Sequence, residues 1–250
     1  MGLFLCGFSL ILLQLVLSWH LGPVLHSSEL PWLLLCCTAL IGQGLGYGWT
    51  ERGWSSIALA LALSAPLLVT GVRGLHLGPP ATLLVSALLA TVTSFGLARL
   101  VSCYWQRRGG RALVEFYRVE LAGALAGLLG AFLLGPLWAT RLFPWAVLGA
   151  AWSLRSGRGR MLLGGLAAAN SLGFTWACWQ AARSAYPGDR LVALEISPYQ
   201  YVEVVENRAG RFFFLNGLCH YGPAAYNQLN FFLAQLPAEH LSESARKQGC

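Results

Sequence analysis

Charge is what this chain has least of. Only 11% of its 250 residues are charged, against about 25% in an ordinary soluble domain. Lysine is nearly missing: Lys247 stands alone among 17 basic side chains, and the rest are arginine. Such a composition excludes a wholly water-exposed globule. The seven cysteines show no metal-ligand spacing, since Cys36 and Cys37 are adjacent and most others lie in apolar runs, where a thiol acts as a small hydrophobe. No metal site and no cofactor are expected. No run of basic residues marks a nucleic-acid partner. The basic excess sits in residues 1–185, with 12 Arg against 4 Glu, while residues 186–250 hold 5 basic and 6 acidic side chains.

Apolar runs are abundant. Seven of them fill residues 3–182: Leu3–Trp19, Pro31–Trp49, Trp54–Val72, Pro80–Trp105, Glu115–Trp138, Phe143–Leu154 and Met161–Ala182. A membrane-spanning helix needs roughly 20 apolar residues. The sixth run is short and reaches that length only if 138–142 joins it. Seven spans, with the lipid bilayer as the first partner, are the expectation. The first run has no basic leader and no small-residue cleavage site after it, so it reads as a retained span and not as a signal peptide. Trp19, Trp49, Trp54, Trp105, Trp138 and Trp152 stand near run ends, where indoles settle at the headgroup level.

Orientation follows from arginine. One cluster is Arg107, Arg108 and Arg111; the other is Arg155, Arg158 and Arg160. Both fall on the cytoplasmic side only if the sixth run crosses. The N-terminus is then inside and the C-terminal unit outside, in a multi-pass protein expected of a bacterial cytoplasmic membrane. Gly42 with Gly46, and Gly123 with Gly127, mark flat helix faces suited to close contact. Arg99 and Glu120 reach similar depth, ~12–13 Å in at helical rise. Leaving either unpaired there costs several kcal/mol, so an intramembrane ion pair or shared polar cavity is expected. Arg118 is expected to snorkel or to pair with Glu115. Asn170 reads as an interhelical hydrogen-bonding group.

After Tyr186-Pro187-Gly188-Asp189 the pattern turns to β. Residues 199–206 form a strand, Asn207–Gly210 a hairpin loop and 211–215 the return strand. Asn216-Gly217 is a strong tight-turn signal, and 218–221 is a third strand. Pro223 introduces a helix over 224–236, with Tyr226, Leu229, Leu233 and Leu236 on one stripe. Glu203 and Glu206, on opposite strand faces, read as solvated. The Phe212-Phe213-Phe214 run needs a cover. The fold class is therefore mainly α: a polytopic helix bundle over 1–185 and a small β-hairpin-plus-helix unit over 186–250.

The stretch Ser197-Pro198-Tyr199-Gln200-Tyr201-Val202-Glu203-Val204-Val205-Glu206, then Gly210-Arg211 and Leu215-Asn216-Gly217, resembles the N-terminal β-domain of spermidine synthases. Gly7-Phe8-Ser9, Gly42–Gly46 with Arg52, and Tyr117–Gly127 are similar to helices of that family's fused, membrane-bound branch. The resemblance implies a polyamine-facing pocket at Tyr199, Gln200, Asn216, His220 and Tyr226. It also brings departures. Asn216 stands where the family has Asp, His220 where it has Gln, and Asn227-Gln228 where it has His-Glu. The family's nucleotide-binding Gly-rich turn has no counterpart in these residues. The expectation is a protein noncatalytic on its own, serving as a docking or homo-oligomerisation unit. Two alternatives stand beside it: the membrane half of a split aminopropyltransferase completed by a separate Rossmann-domain partner, and a small-solute (polyamine) transporter.

Overall fold

In the computed structural model, residues 1–21, 29–48, 55–77, 79–107, 113–152, 157–197, 201–215 and 218–222 are described. They form six helices, α1 (Gly2–Leu21), α2 (Glu29–Gly48), α3 (Ser55–Gly74), α4 (Pro79–Arg107), α5 (Leu113–Trp152) and α6 (Gly157–Ser184). Four strands follow, β1 (Arg190–Ile196), β2 (Tyr201–Asn207), β3 (Gly210–Leu215) and β4 (Leu218–Tyr221). Five helices, α1, α3, α4, α5 and α6, are long and apolar enough to cross a membrane, and the described apolar part of α2 is the shorter Leu33–Gly48.

α5 is 40 residues long. Straight, it would measure ~60 Å, about twice a bilayer's hydrocarbon core. It is not straight. Gly135 has φ 74° and ψ 170°, a region essentially reserved for glycine. Pro136 follows, suited to a first helical turn because it has no N–H to satisfy. The contacts with α1 show that the chain folds back here. Gly123 lies against Phe4 and Gly127 against Phe8 and Ile11, so the first arm of α5 runs parallel to α1. His20 meets Thr140 and Leu5 meets Gly149, so the second arm runs antiparallel. The described residues therefore contain seven helical segments, two of them from α5. Residues 138–142 are helical and lengthen the sixth pass, whose break from the fifth falls at Gly135-Pro136 and not after Trp138.

Close glycine contacts set the helix spacing. A Cβ on Gly7 would sit 2.0 Å from the Glu120 carbonyl oxygen, and one on Gly42 would sit 2.1 Å from that of Thr91. Gly46 and Gly96 press on α4 and α3 in the same manner. Lipid offers no hydrophobic drive between helices, and backbone proximity supplies the attraction instead.

The seven passes put the N-terminus and the sheet at opposite ends of the bundle. Arg107, Arg158 and Arg160 lie at the N-terminal end, near Trp152 and Tyr104. Arg73 lies at the sheet end. The sheet is antiparallel in the order β1-β2-β3-β4, one strand more than the three expected. Asn207 pairs with Gly210, so the loop is two residues, not four. Asn207 Oδ1 accepts the Ala209 N–H at 2.9 Å. One sheet face packs on the end of α6, where Leu191 and Val205 meet Ala182, flanked by Trp179, Tyr186 and Phe214.

Candidate functional site

The polar residues singled out at depth do not form the expected ion pair. The ion pairs among the described residues are Arg73–Glu203, Arg190–Glu206 and Arg211–Glu206. Glu120 instead accepts a hydrogen bond from the Tyr47 hydroxyl at 2.8 Å. Arg99 is buried and donates to Ser102 Oγ at 3.5 Å. Ser102 Oγ in turn donates to the Tyr47 carbonyl at 3.4 Å. The two charges thus share one polar patch, with Tyr47 and Ser102 between them. Arg118 and Glu115 are exposed and are not ion-paired with each other. Asn170 turns inward on its own helix and donates to Leu166 O at 2.9 Å.

Of the pocket residues implied by the resemblance, Tyr199, Gln200, Asn216 and Tyr226 lie outside the described residues, as does the helix expected over 224–236. His220 is exposed on β4, in the bulge between the pairs Phe213–Tyr221 and Phe214–Cys219.

The densest buried polar cluster lies elsewhere, where the sheet meets the bundle. Strand alternation sends Tyr201, Glu203 and Val205 to one face of β2, and that face is buried. Glu203, expected in solvent, is 1% exposed and ion-paired with Arg73 of α3. Its second oxygen accepts the Tyr186 hydroxyl at 2.6 Å. The Arg73 guanidinium also covers the Tyr201 ring, 3.9 Å from its centroid. The Tyr201 hydroxyl meets His20 Nδ1, at the last turn of α1, and lies 3.9 Å from Cys178 Sγ of α6. His20 Nε2 faces Thr140 Oγ1, in the second arm of α5, at 2.8 Å. Phe174 closes the imidazole edge-on, with ring centroids 4.9 Å apart.

Four helices and one strand therefore converge on a buried site. Arg73 Nη1 is buried there with no hydrogen-bond partner among the described residues. Burial pushes the Tyr201 phenol well above the ordinary range, the Cys178 thiol pushing the same way. Burial also raises Tyr186, helped by its bond to Glu203. Both phenols are therefore neutral at physiological pH. Two open grooves lie beside the cluster, one of about 460 Å³ at Arg183, Tyr186 and Asp189, the other of about 380 Å³ at Gly71, Gly74 and Ala177. Neither is lined by His20, Tyr201 or Glu203. Among the described residues no group of three His, Cys, Asp or Glu side chains could hold a metal ion. The chemistry available is that of a clasp: one carboxylate, one guanidinium, two phenols and one imidazole engage one another across the joint, with Arg73 Nη1 left over.

Sequence reading missed this cluster because its members are far apart in the chain. His20 and Arg73 were each alone at the end of an apolar run. The period-two burial of β2 was the one available hint that Glu203 faces inward beside Tyr201.

Comparison with models of protein families, with curated proteins and with solved structures returns no match.

Proposed function

We propose that this protein is an integral membrane protein whose C-terminal sheet is a docking unit, and that the unit takes a second copy of the chain. One observation carries the reading: both faces of the sheet are apolar, and the bundle uses only one. Val202, Val204, Phe213 and Leu215 share the face turned away from Tyr201 and Glu203, and they are half-buried. Tyr221 pairs beside Phe213 and is 55% exposed. Arg190, Glu195, Glu206 and Arg211 border this patch, Glu195 opposite Val202 and the other three in ion pairs. An apolar centre with a charged rim is the anatomy of a protein interface, and an apolar patch meets its own copy across a two-fold axis without charge repulsion.

The polar groups of the buried face support a noncatalytic reading of the sheet. Glu203 is engaged by Arg73 and Tyr186, which leaves it no capacity to hold a polycationic substrate. The positive-inside tendency sets the arginine-rich end of the bundle in the cytoplasm and the sheet on the far side. A cytosolic nucleotide-binding partner would not reach it there.

The test is the oligomeric state of the full chain in detergent and in nanodiscs, measured by light scattering and by crosslinking. The wild type is expected to self-associate, and Phe213→Asp to be monomeric with its bundle intact. A wild-type protein that stays monomeric at every concentration overturns the reading.

A further inference from the structure

We propose that the joint between sheet and bundle is an acid-released latch with His20 as its proton sensor. It does not depend on the outer face binding anything, because its readout is release of the sheet itself. Both ring nitrogens of His20 are engaged, Nδ1 by the Tyr201 hydroxyl and Nε2 by Thr140 Oγ1. The side chain is 1% exposed. A neutral imidazole offers one N–H and one lone pair, and two hydroxyls can match that in either tautomer. A proton added to the ring puts a second cation into a site already short of acceptors.

The ionisable groups facing His20 come from three elements. α3 supplies Arg73, over the Tyr201 ring. α6 supplies Cys178, on the far side of the Tyr201 hydroxyl. β2 supplies Tyr201 itself and Glu203. From α5 comes only the neutral Thr140. Among the described residues Glu203 is the one carboxylate here, and it serves Arg73 and Tyr186 already. Even so, Arg73 Nη1 has no acceptor among the described residues. An imidazolium would meet a guanidinium with no free anion between them among the described residues, in a buried setting where charge repulsion is poorly screened.

Withdrawing the sheet resolves this. Tyr201 leaves the ring, water enters, and His20 at the last turn of α1 can carry its proton. The undocked form binds the extra proton and the docked form does not, so docking strengthens as pH rises and weakens as it falls. Release belongs below the ordinary imidazole range, about pH 6.5.

The experiment is amide hydrogen exchange on the full chain in nanodiscs between pH 8 and 5, corrected for the intrinsic pH dependence of exchange. Peptides covering β2 and the end of α6 are expected to lose protection on acidification, while α1 and α4 keep theirs. In His20→Gln, which cannot take up the proton, the transition is expected to move down by about one pH unit or more. Tyr201→Phe keeps the imidazole but removes its hydroxyl partner, and its transition is expected at higher pH than in the wild type. Its behaviour keeps the test decisive should His20→Gln fail to fold. Three outcomes overturn the proposal: no acid transition in the wild type, an unchanged midpoint in His20→Gln, or Tyr201→Phe releasing at the wild-type pH.

Discussion

Arg73, in the last turn of α3, and Glu203, in the middle of β2, form an ion pair across 130 positions of sequence, with only 10% and 1% of their side-chain surfaces exposed. The pair fastens the sheet to the bundle beside the Tyr201–His20 contact and the Leu191, Val205 and Ala182 packing. Removing one partner leaves the other buried and uncompensated. Arg73→Leu or Glu203→Leu alone is therefore expected to weaken docking by about 3–5 kcal/mol. The double variant Arg73→Leu/Glu203→Leu is expected to lose much less, since neither charge then remains to be desolvated. A double-mutant cycle, read by chemical denaturation of the sheet's exchange protection, measures the coupling. Additive losses would show that the two groups do not act as a pair.

The glycine contacts make a second, sharper prediction. A methyl group on Gly7 would overlap the Glu120 carbonyl, and one on Gly123 the Phe4 carbonyl, each at 2.0 Å. Backbone cannot give way there as a side-chain tip can. Gly7→Ala and Gly123→Ala are each expected to destabilise the bundle by roughly 1–3 kcal/mol. Gly164→Ala and Gly165→Ala meet nothing within 4 Å and are expected to be neutral or slightly stabilising, because alanine restricts the helix less unfavourably than glycine. Thermal unfolding in one fixed detergent compares all four variants. Equal losses at the tight and the open positions would refute the packing argument.

Much of this architecture could be read from sequence because membrane helices declare themselves by length and apolarity. The strand pattern after Asp189 was legible in part: β2 to β4 were expected, but β1 (Arg190–Ile196) was missed and the Asn207–Gly210 loop was read two residues too long. The Gly42–Gly46 and Gly123–Gly127 faces were legible for the same reason, since small residues four apart have few other uses in an apolar helix. The clasp was not legible. His20, Arg73 and Glu203 sit in three unconnected segments, and only the tertiary fold brings them together. Depth alone suggested pairing Arg99 with Glu120. Depth says nothing of azimuth, and the Tyr47 hydroxyl and Ser102 occupy the space between.

Alkali should loosen the same joint from another direction. Tyr201 and Tyr186 are both held above the ordinary phenol range, in each case first by burial. A group whose folded pKa is raised favours its protonated form in the folded state. Its stabilising contribution is thus complete below the unfolded value, about 10, and is lost as pH climbs from there towards the folded value. Absorbance titration at the phenolate band is expected to show Tyr201 and Tyr186 among the late-ionising tyrosines, together with release of the sheet. Tyr201→Phe and Tyr186→Phe should each remove one late-titrating group. If all tyrosines ionise together near pH 10 with the sheet still protected, these phenols are not buried in the clasp.

The fold-back at Gly135 reverses the direction of α5 within the bundle. With φ 74° and ψ 170°, this residue occupies a conformation that costs a side chain about 1–3 kcal/mol, and no neighbouring atom lies within 4 Å of a Cβ built there. The cost of Gly135→Ala would therefore be purely conformational. That variant is expected to lower stability by this amount without altering topology, whereas deleting Gly135-Pro136 should favour one long helix and invert everything after it. Cysteines placed one at a time at Arg107, Arg158 and Asp189, in a background cleared of the native thiols, report the arrangement through an impermeant maleimide. Arg107 and Arg158 are expected to label from the same side, the cytoplasmic one, and Asp189 from the other. Labelling of Arg158 and Asp189 from a common side would mean that α6 does not cross. Labelling of Arg107 and Arg158 from opposite sides would mean that α5 does not fold back within the bilayer, and the path of the chain around α1 would have to be redrawn.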